Sequence, residues 1–94
     1  MSIQNTLQQR GERYGEFSEV SATTQALMAV IDSAYNSEQL DDSMKTSLFM
    51  ICNKMARIVN GDPNYIDNWH DIAGYATLVE QDLIMTGHDK ECAQ

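Results

Sequence analysis

The sequence predicts an all-α fold, a helical bundle of three long helices preceded by a short N-terminal helix. Apolar residues recur at three- and four-residue intervals through three long segments, which is the period of an amphipathic helix. No segment shows the strict alternation of a strand, and the sequence contains no internal repeat. One proline and five glycines leave few helix breakers in 94 residues. We therefore expect a single helical domain over residues 1–94.

The first helix is predicted over residues 3–10, where the helical periodicity is weak, and Gly11 ends it. Gly11 and Gly15 allow tightly turned or left-handed backbone, and together they predict a structured connector. Tyr14 and Phe17 have large apolar side chains, so we expect both of them to be covered.

The first long helix is predicted over residues 18–35, and the turn signal at residues 36–37 ends it. Its apolar stripe consists of Val20, Leu27, Val30, Ile31 and Ala34. The second long helix begins at Ser37 or at Asp41 and ends at residues 60–61, where Asn-Gly is a strong C-terminal stop. Its apolar positions keep the same spacing throughout: Leu40, Met44, Leu48, Ile51, Cys52, Met55, Ile58 and Val59.

The third long helix is capped by Asp62, with a proline in its first turn, or by Asp67. Trp69 lies on its apolar stripe and is predicted to be a core residue. Gly74 weakens an exposed helix by about 1 kcal/mol relative to alanine, so it indicates the close approach of another helix. The helix is predicted to end at residues 86–87, and residues 88–94 to form a frayed tail.

Helices of about twenty residues in so short a chain leave a thin core. The wide apolar stripes on the last two helices therefore predict a homo-oligomer, most simply a two-fold dimer. Of the two cysteines, Cys52 is expected to be a small core residue, and the wide separation from Cys92 argues against a disulfide framework or a zinc site.

The formal charge is −8, from fourteen acidic and six basic residues. Such a surface repels a phosphate backbone, so we expect no direct nucleic-acid binding. It also suits docking onto a basic surface, including one that normally holds nucleic acid. No apolar run approaches the roughly 20 residues of a membrane span, and the first ten residues lack the apolar stretch of a signal peptide. We therefore expect a cytoplasmic protein without a membrane partner.

A candidate site lies on the last two long helices. Lys54 and Arg57 share a face of one, while Asp67, Asp71 and Tyr75 recur every four residues along the other. If the two helices pack antiparallel, Arg57 lies near Asp67 and Lys54 lies near Asp71. Two interpretations are open at this point. The charges form interhelical ion pairs that fix the register, or the lysine and arginine hold a phosphate or carboxylate group.

Arg13 and Tyr14 complete the predicted ligand-binding pocket, with Tyr14 stacking on a base. No glycine-rich phosphate loop is present, so such a site depends on side chains. No serine has a histidine partner at a recognisable spacing, and His70 has no second histidine at ligand spacing. The sequence therefore predicts no catalytic residue, no metal ligand and no cofactor.

Several of these motifs resemble a family of small phage and prophage proteins that carry an unassigned domain. The resemblance covers residues 7–83. It rests on the segments Arg13-Tyr14-Gly15-x-Phe17, Lys54-x-x-Arg57-Ile58 and Gly61-Asp-Pro-x-Tyr65-x-Asp67-x-Trp69-x-Asp71-Ile-Ala-Gly-Tyr75. It implies a phage-encoded protein that acts in the host cytoplasm.

More remotely, the same two helices are similar to the MazG-like all-α nucleotide pyrophosphatases, a similarity that implies a magnesium cofactor. Enzymes of that group hold the ion with Glu-x-x-Glu on one helix and Glu-x-x-Asp on the next. Here Glu16-x-x-Glu19 matches the first half in form. Asp67 and Asp71 are four residues apart instead of three, and Lys54 stands where an acid is expected and competes with the ion.

We therefore expect a non-enzymatic accessory binding protein that serves counter-defence. It sequesters a nucleotide-type ligand, or it docks on a host defence protein and inhibits a nucleic-acid-handling or immune complex. The alternatives are a magnesium-dependent nucleoside triphosphate pyrophosphohydrolase and a structural or assembly protein.

Overall fold

The computed structural model of the chain describes residues 2–88, and these form four α-helices. The helices are α1 (Ile3–Tyr14), α2 (Phe17–Asp32), α3 (Asp42–Asn60) and α4 (Ile66–Met85), with a short 3₁₀ turn (Ser37–Gln39) between α2 and α3. No strand occurs within residues 2–88. The prediction of an all-α fold with a short first helix and three long ones is confirmed.

α3 is the central helix of the molecule. α2 and α4 both pack along α3 and scarcely touch each other, while α1 contacts α2 and α3. The molecule measures 49 × 26 × 22 Å, and its radius of gyration of 15.8 Å exceeds the roughly 12 Å of a compact domain of this length. The buried apolar side chains of the described residues are Val20, Cys52, Ala56 and Ile58. The core is thin, as predicted.

The boundary between α1 and α2 differs from the prediction. α1 continues through Gly11 to Tyr14, because the Gly15 N–H donates a hydrogen bond to the Gly11 carbonyl at 2.8 Å. Gly15, with a φ of +89°, is the residue that leaves helical geometry. Phe17 is 84% exposed. The expectation that it would be covered is wrong, because it lines an open cleft at the start of α2.

The ends of α3 follow local signals that the sequence carries. The Asp41 carboxylate accepts a hydrogen bond from the Met44 N–H at 2.8 Å, so Asp41 is the N-cap and Ser37 lies in the 3₁₀ turn. At the other end the predicted stop is confirmed, with Gly61 as the C-cap. α2 ends earlier than predicted, where the Ser33 hydroxyl donates to a carbonyl of the last turn.

α4 begins between the two predicted caps. Its N-cap is Tyr65, and Asp67 lies in its first turn. The Asp62 carboxylate instead accepts a hydrogen bond from the Asn64 N–H at 2.9 Å, which fixes a turn before the helix.

Two predictions for the interior of α4 are also wrong. Trp69 is 56% exposed, because its indole N–H donates to the Pro63 carbonyl at 2.9 Å and holds the ring over the preceding turn. No other helix within residues 2–88 approaches Gly74: a Cβ built there has no neighbour within 4 Å apart from the backbone of its own helix.

Cys52 is a core residue, as predicted, and is 3% exposed. Burial raises the pKa of its thiol. Of the predicted tail, residues 89–94, which include Cys92, lie outside the described residues, and His88 is exposed. Across residues 2–88, the helices lack the combination of length and apolarity that crossing a bilayer requires.

Candidate functional site

Two chain connections touch each other at one end of the molecule. A Cβ built on Gly15 would lie 2.5 Å from a carbonyl oxygen at the end of α3, and one built on Gly61 would lie 2.5 Å from the Tyr14 carbonyl carbon. The Asp62 N–H donates to the Arg13 carbonyl at 3.0 Å across the same contact. Residues without a Cβ allow this approach, which brings the end of α1 against the end of α3.

Arginine and tyrosine side chains gather at this contact, in a group that we call the arginine–tyrosine cluster: Arg10, Arg13, Tyr14, Arg57 and Tyr65. The Cζ atoms of Arg57 and Arg10 lie 4.6 Å and 4.9 Å from the centroid of the Tyr14 ring. The Tyr65 ring meets the Tyr14 ring edge-on, with 5.6 Å between centroids, and Arg13 lies 5.4 Å from the Tyr65 centroid. All three arginines are within cation–π range of a ring.

The local sequence explains why these side chains meet. Arg10 and Tyr14 are one turn apart on α1, so they lie on the same face of that helix. Arg57 lies in the last turn of α3, next to the point where α1 ends. Tyr65 immediately precedes α4 and closes the cluster from the other side.

The cluster is positive in an acidic protein. It contains three of the six basic residues of a chain whose formal charge is −8. No carboxylate within residues 2–88 forms an ion pair with any of the three guanidinium groups. The positive charge of the cluster is therefore free to attract a small anion.

A cleft of about 360 Å³ opens beside the cluster, between α1, the start of α2 and α3. Arg10, Arg57 and Asn53 give it polar walls, and Phe17 adds an exposed aromatic ring. Glu16 places one carboxylate on the lining. The volume lies at the small end of the range for ligand sites. The cleft can hold an anionic group against the arginines and a flat group against Phe17.

Asp67 acts on the cluster through Tyr65. The pKa of Tyr65 is raised, chiefly by the neighbouring Asp67 carboxylate and next by the Tyr14 side chain, both of which favour the protonated phenol. The predicted ion pair between Arg57 and Asp67 is wrong: the Arg57 guanidinium lies over Tyr14 instead, and the two residues form no ion pair.

The predicted pair of Lys54 and Asp71 is confirmed. Lys54 Nζ lies 3.1 Å from Asp71 Oδ2, and the two side chains are 10% and 43% exposed. A buried ammonium needs such a partner, so this pair fixes the register of α3 against α4. Lys54 and Arg57, predicted to hold one anion together, therefore contact different partners.

Tyr75 lies apart from the cluster as well. One turn beyond Asp71, it lines a groove of about 410 Å³ between α3 and α4, together with Asp42, Thr46 and Ser47. The predicted site is thus divided. Its members Arg13, Tyr14 and Arg57 are in the arginine–tyrosine cluster, while Lys54, Asp71 and Tyr75 lie along the α3–α4 contact.

Arg10 and Tyr65 belong to the cluster but were not predicted as site residues. The spacing of four between Arg10 and Tyr14 is a usable signal once α1 is extended through Gly11. Tyr65 stands in a turn, where no periodicity places a side chain. In the described part of the chain, no group of three or more His, Cys, Asp or Glu side chains is arranged to hold a metal ion.

Comparison with known proteins identifies the family of the chain. A family model described as "Domain of unknown function (DUF6378)" matches residues 3–82, so the chain belongs to this family. No curated protein and no solved structure matches the chain.

Proposed function

We propose that this member of the DUF6378 family is a non-enzymatic accessory protein that binds and sequesters a nucleotide-type ligand in the cleft beside the arginine–tyrosine cluster. One observation carries the proposal: two arginines that form no ion pair with a carboxylate of residues 2–88 contact Tyr14 at a cleft of about 360 Å³ in a strongly acidic chain.

The arginines match the phosphate of such a ligand. Arg10 and Arg57 both line the cleft, and the Cζ atom of each lies within 5 Å of the Tyr14 ring centroid, so both are available to an anion bound there. Planar guanidinium groups bind phosphate through paired hydrogen bonds. Contact with the Tyr14 ring restrains both arginine side chains before the ligand arrives.

The base of the ligand is assigned to Phe17. The Tyr14 ring is already in contact with two guanidinium groups, which leaves it unsuited to the stacking role predicted from the sequence. Phe17 is 84% exposed on the lining of the same cleft, and an exposed ring gains most from a stacked partner. Asn53, which donates to the Thr24 hydroxyl at 3.4 Å, offers a neighbouring amide for the edge of the base.

Size and charge favour a ligand with one phosphate. A nucleoside monophosphate or a cyclic nucleotide fits a small cleft, whereas a triphosphate brings several more charges toward a chain of charge −8. The carboxylate of Glu16 on the lining adds to that repulsion.

The resemblance to small phage and prophage proteins gives this binding a biological setting. We place the protein in the cytoplasm of an infected host, where sequestering a nucleotide signal would serve counter-defence. Binding alone is sufficient for this role, because a signal that is held is withdrawn from its receptor.

The test is a thermal-shift screen of the chain with nucleoside monophosphates, cyclic nucleotides and nucleoside triphosphates, each with and without magnesium. A true ligand at a hundredfold its dissociation constant stabilises the fold by about 2.7 kcal/mol. Arg57→Ala is expected to weaken binding at least tenfold, because it removes a charge-assisted hydrogen bond. Lys45→Ala is the matched control, since it removes the same charge from an exposed position of α3 outside the cleft lining.

Other outcomes contradict the proposal. If no nucleotide shifts the melting temperature, or if Arg57→Ala binds as well as the control, the cleft is not a nucleotide site. Magnesium-dependent release of pyrophosphate from a triphosphate would favour the pyrophosphohydrolase instead. A salt-sensitive complex recovered from host lysate, without any ligand shift, would favour docking on a host protein.

A further inference from the structure

The packing of the helices leaves part of α3 uncovered, since Met55 and Val59 are 42% and 71% exposed. α2 and α4 flank α3 and scarcely touch each other, so neither of them covers α3 across its whole width. A helical layer is stable when a second layer covers its apolar side. The four buried apolar side chains within residues 2–88 are far fewer than the apolar residues of the helical stripes.

The uncovered side is apolar along both helices of the α3–α4 hairpin. We call it the front face and define it by Met44, Leu48, Ile51, Met55, Ala76 and Val79. The four residues on α3 follow the 4-3-4 spacing of a helix–helix seam. Met55 is 42% exposed, and five of the six, all but Met55, line one groove of about 330 Å³. Among residues 2–88, none of those that line this groove is charged.

We propose that a second copy of this chain covers the front face, in a two-fold dimer whose α3–α4 hairpins form a four-helix bundle. Two chains of charge −8 repel each other wherever acidic surfaces meet. They can associate through a surface without charge, and the groove of the front face is such a surface. Under a two-fold axis, the seam of each α3 packs into the groove of its partner.

The size of the face suits such a dimer. Val59 and Trp69, 71% and 56% exposed, extend it toward the turn between the helices. From Met44 to Val59, α3 rises about 23 Å, and two helices side by side are about 20 Å wide. The projected area is about 450 Å² per copy, or about 900 Å² for the pair. Because side chains protrude from the helices, the accessible surface buried between the two copies is larger than the projected area and approaches the roughly 1,200 Å² of specific interfaces.

Sedimentation velocity at micromolar concentration tests this assignment. The wild-type chain is expected at twice its 10.6 kDa mass. Met55→Glu places a charge on the front face and is expected to give a monomer. Val30→Glu is the matched control, because Val30 is 69% exposed on α2 and lies outside the groove, and it is expected to remain a dimer.

Met55 is already partly exposed in the single chain, so a glutamate there is compatible with the protomer fold, which circular dichroism verifies. Dilution of the wild type supplies a measurement that needs no substitution. A wild type that stays monomeric overturns the proposal, even if it gains mass from a lysate. So does a dimer that survives both Met55→Glu and Leu48→Glu, or one that Val30→Glu dissociates.

Discussion

Alanine at Gly61 is expected to destabilise the fold by about 2–3 kcal/mol, because the new methyl group meets backbone and not a movable side chain. Its Cβ would lie 2.5–2.6 Å from backbone atoms of Arg13, Tyr14 and Gly15. Carbon atoms in ordinary contact are about 3.5–4.0 Å apart, so the two chain connections must separate by about 1 Å.

Moving the two chain connections apart weakens interactions that stabilise the fold. It stretches the hydrogen bond from the Asp62 N–H to the Arg13 carbonyl, now 3.0 Å, whose net value is about 1 kcal/mol. It also draws Arg57 and Tyr65 away from Tyr14, and each such exposed contact contributes about 0.5–1 kcal/mol. Together these losses give about 2–3 kcal/mol.

Gly74→Ala is the matched control within the same chain. Its Cβ meets nothing within 4 Å, and alanine favours a helix interior over glycine by about 1 kcal/mol, so this variant is expected to be more stable than the wild type. Urea unfolding followed by circular dichroism measures both variants. If Gly61→Ala unfolds at the wild-type midpoint, or later than Gly74→Ala, the two connections do not touch as described and the cleft is not built as argued.

Three further results are expected. Asp71→Leu leaves Lys54 buried without its partner and is expected to lower the free energy of unfolding by about 1–2 kcal/mol. The loss is smaller than for a fully buried ion pair because Asp71 is 43% exposed. Adding Lys54→Met should recover most of the lost stability in the same urea experiment. Glu16→Gln removes the carboxylate from the cleft lining and should tighten nucleoside monophosphate binding severalfold by titration calorimetry, whereas unchanged affinity would place the anion elsewhere. Because the pKa of Tyr65 is raised in the folded protein, the stability that its phenol contributes is fully present below the unfolded pKa of about 10 and is lost as the pH rises through the folded value. Tyr65→Phe should therefore lose less stability than the wild type between pH 9 and 11. An equal loss of stability in both proteins would contradict this.

Local sequence signals were sufficient to predict where α3 ends, but they were insufficient to predict the boundaries of the neighbouring helices. Asp41 and Gly61 mark the ends of α3 because a cap and a C-terminal glycine act on adjacent backbone. The end of α1 was misplaced because Gly11 can be helical, and the left-handed residue is Gly15, whose position is fixed by contact with a distant turn. Trp69 follows the apolar period but lies over the preceding turn, where one hydrogen bond outweighs the stripe.

The contacts of the candidate site also differ in how far the sequence could predict them. The pair of Lys54 and Asp71 could be predicted because a short turn joins their helices, so antiparallel register follows from counting residues. Arg57 could not be assigned by counting, because α1 supplies Tyr14 as a competing partner, and no spacing places α1 against the end of α3. A contact between helices joined by a short turn is encoded locally, whereas the contact between Arg57 and Tyr14 depends on how all the helices are arranged.

The cleft and the front face lie on opposite sides of α3, so ligand binding and dimerisation should be separable. Arg57 follows Met55 by two residues, which is a rotation of about 200° around the helix. Arg57→Ala is therefore expected to keep the dimer mass while it loses the nucleotide shift, and Met55→Glu is expected to do the reverse. If Met55→Glu keeps its helicity but also loses the nucleotide shift, the two sides are coupled, and the partner copy must help to build the cleft.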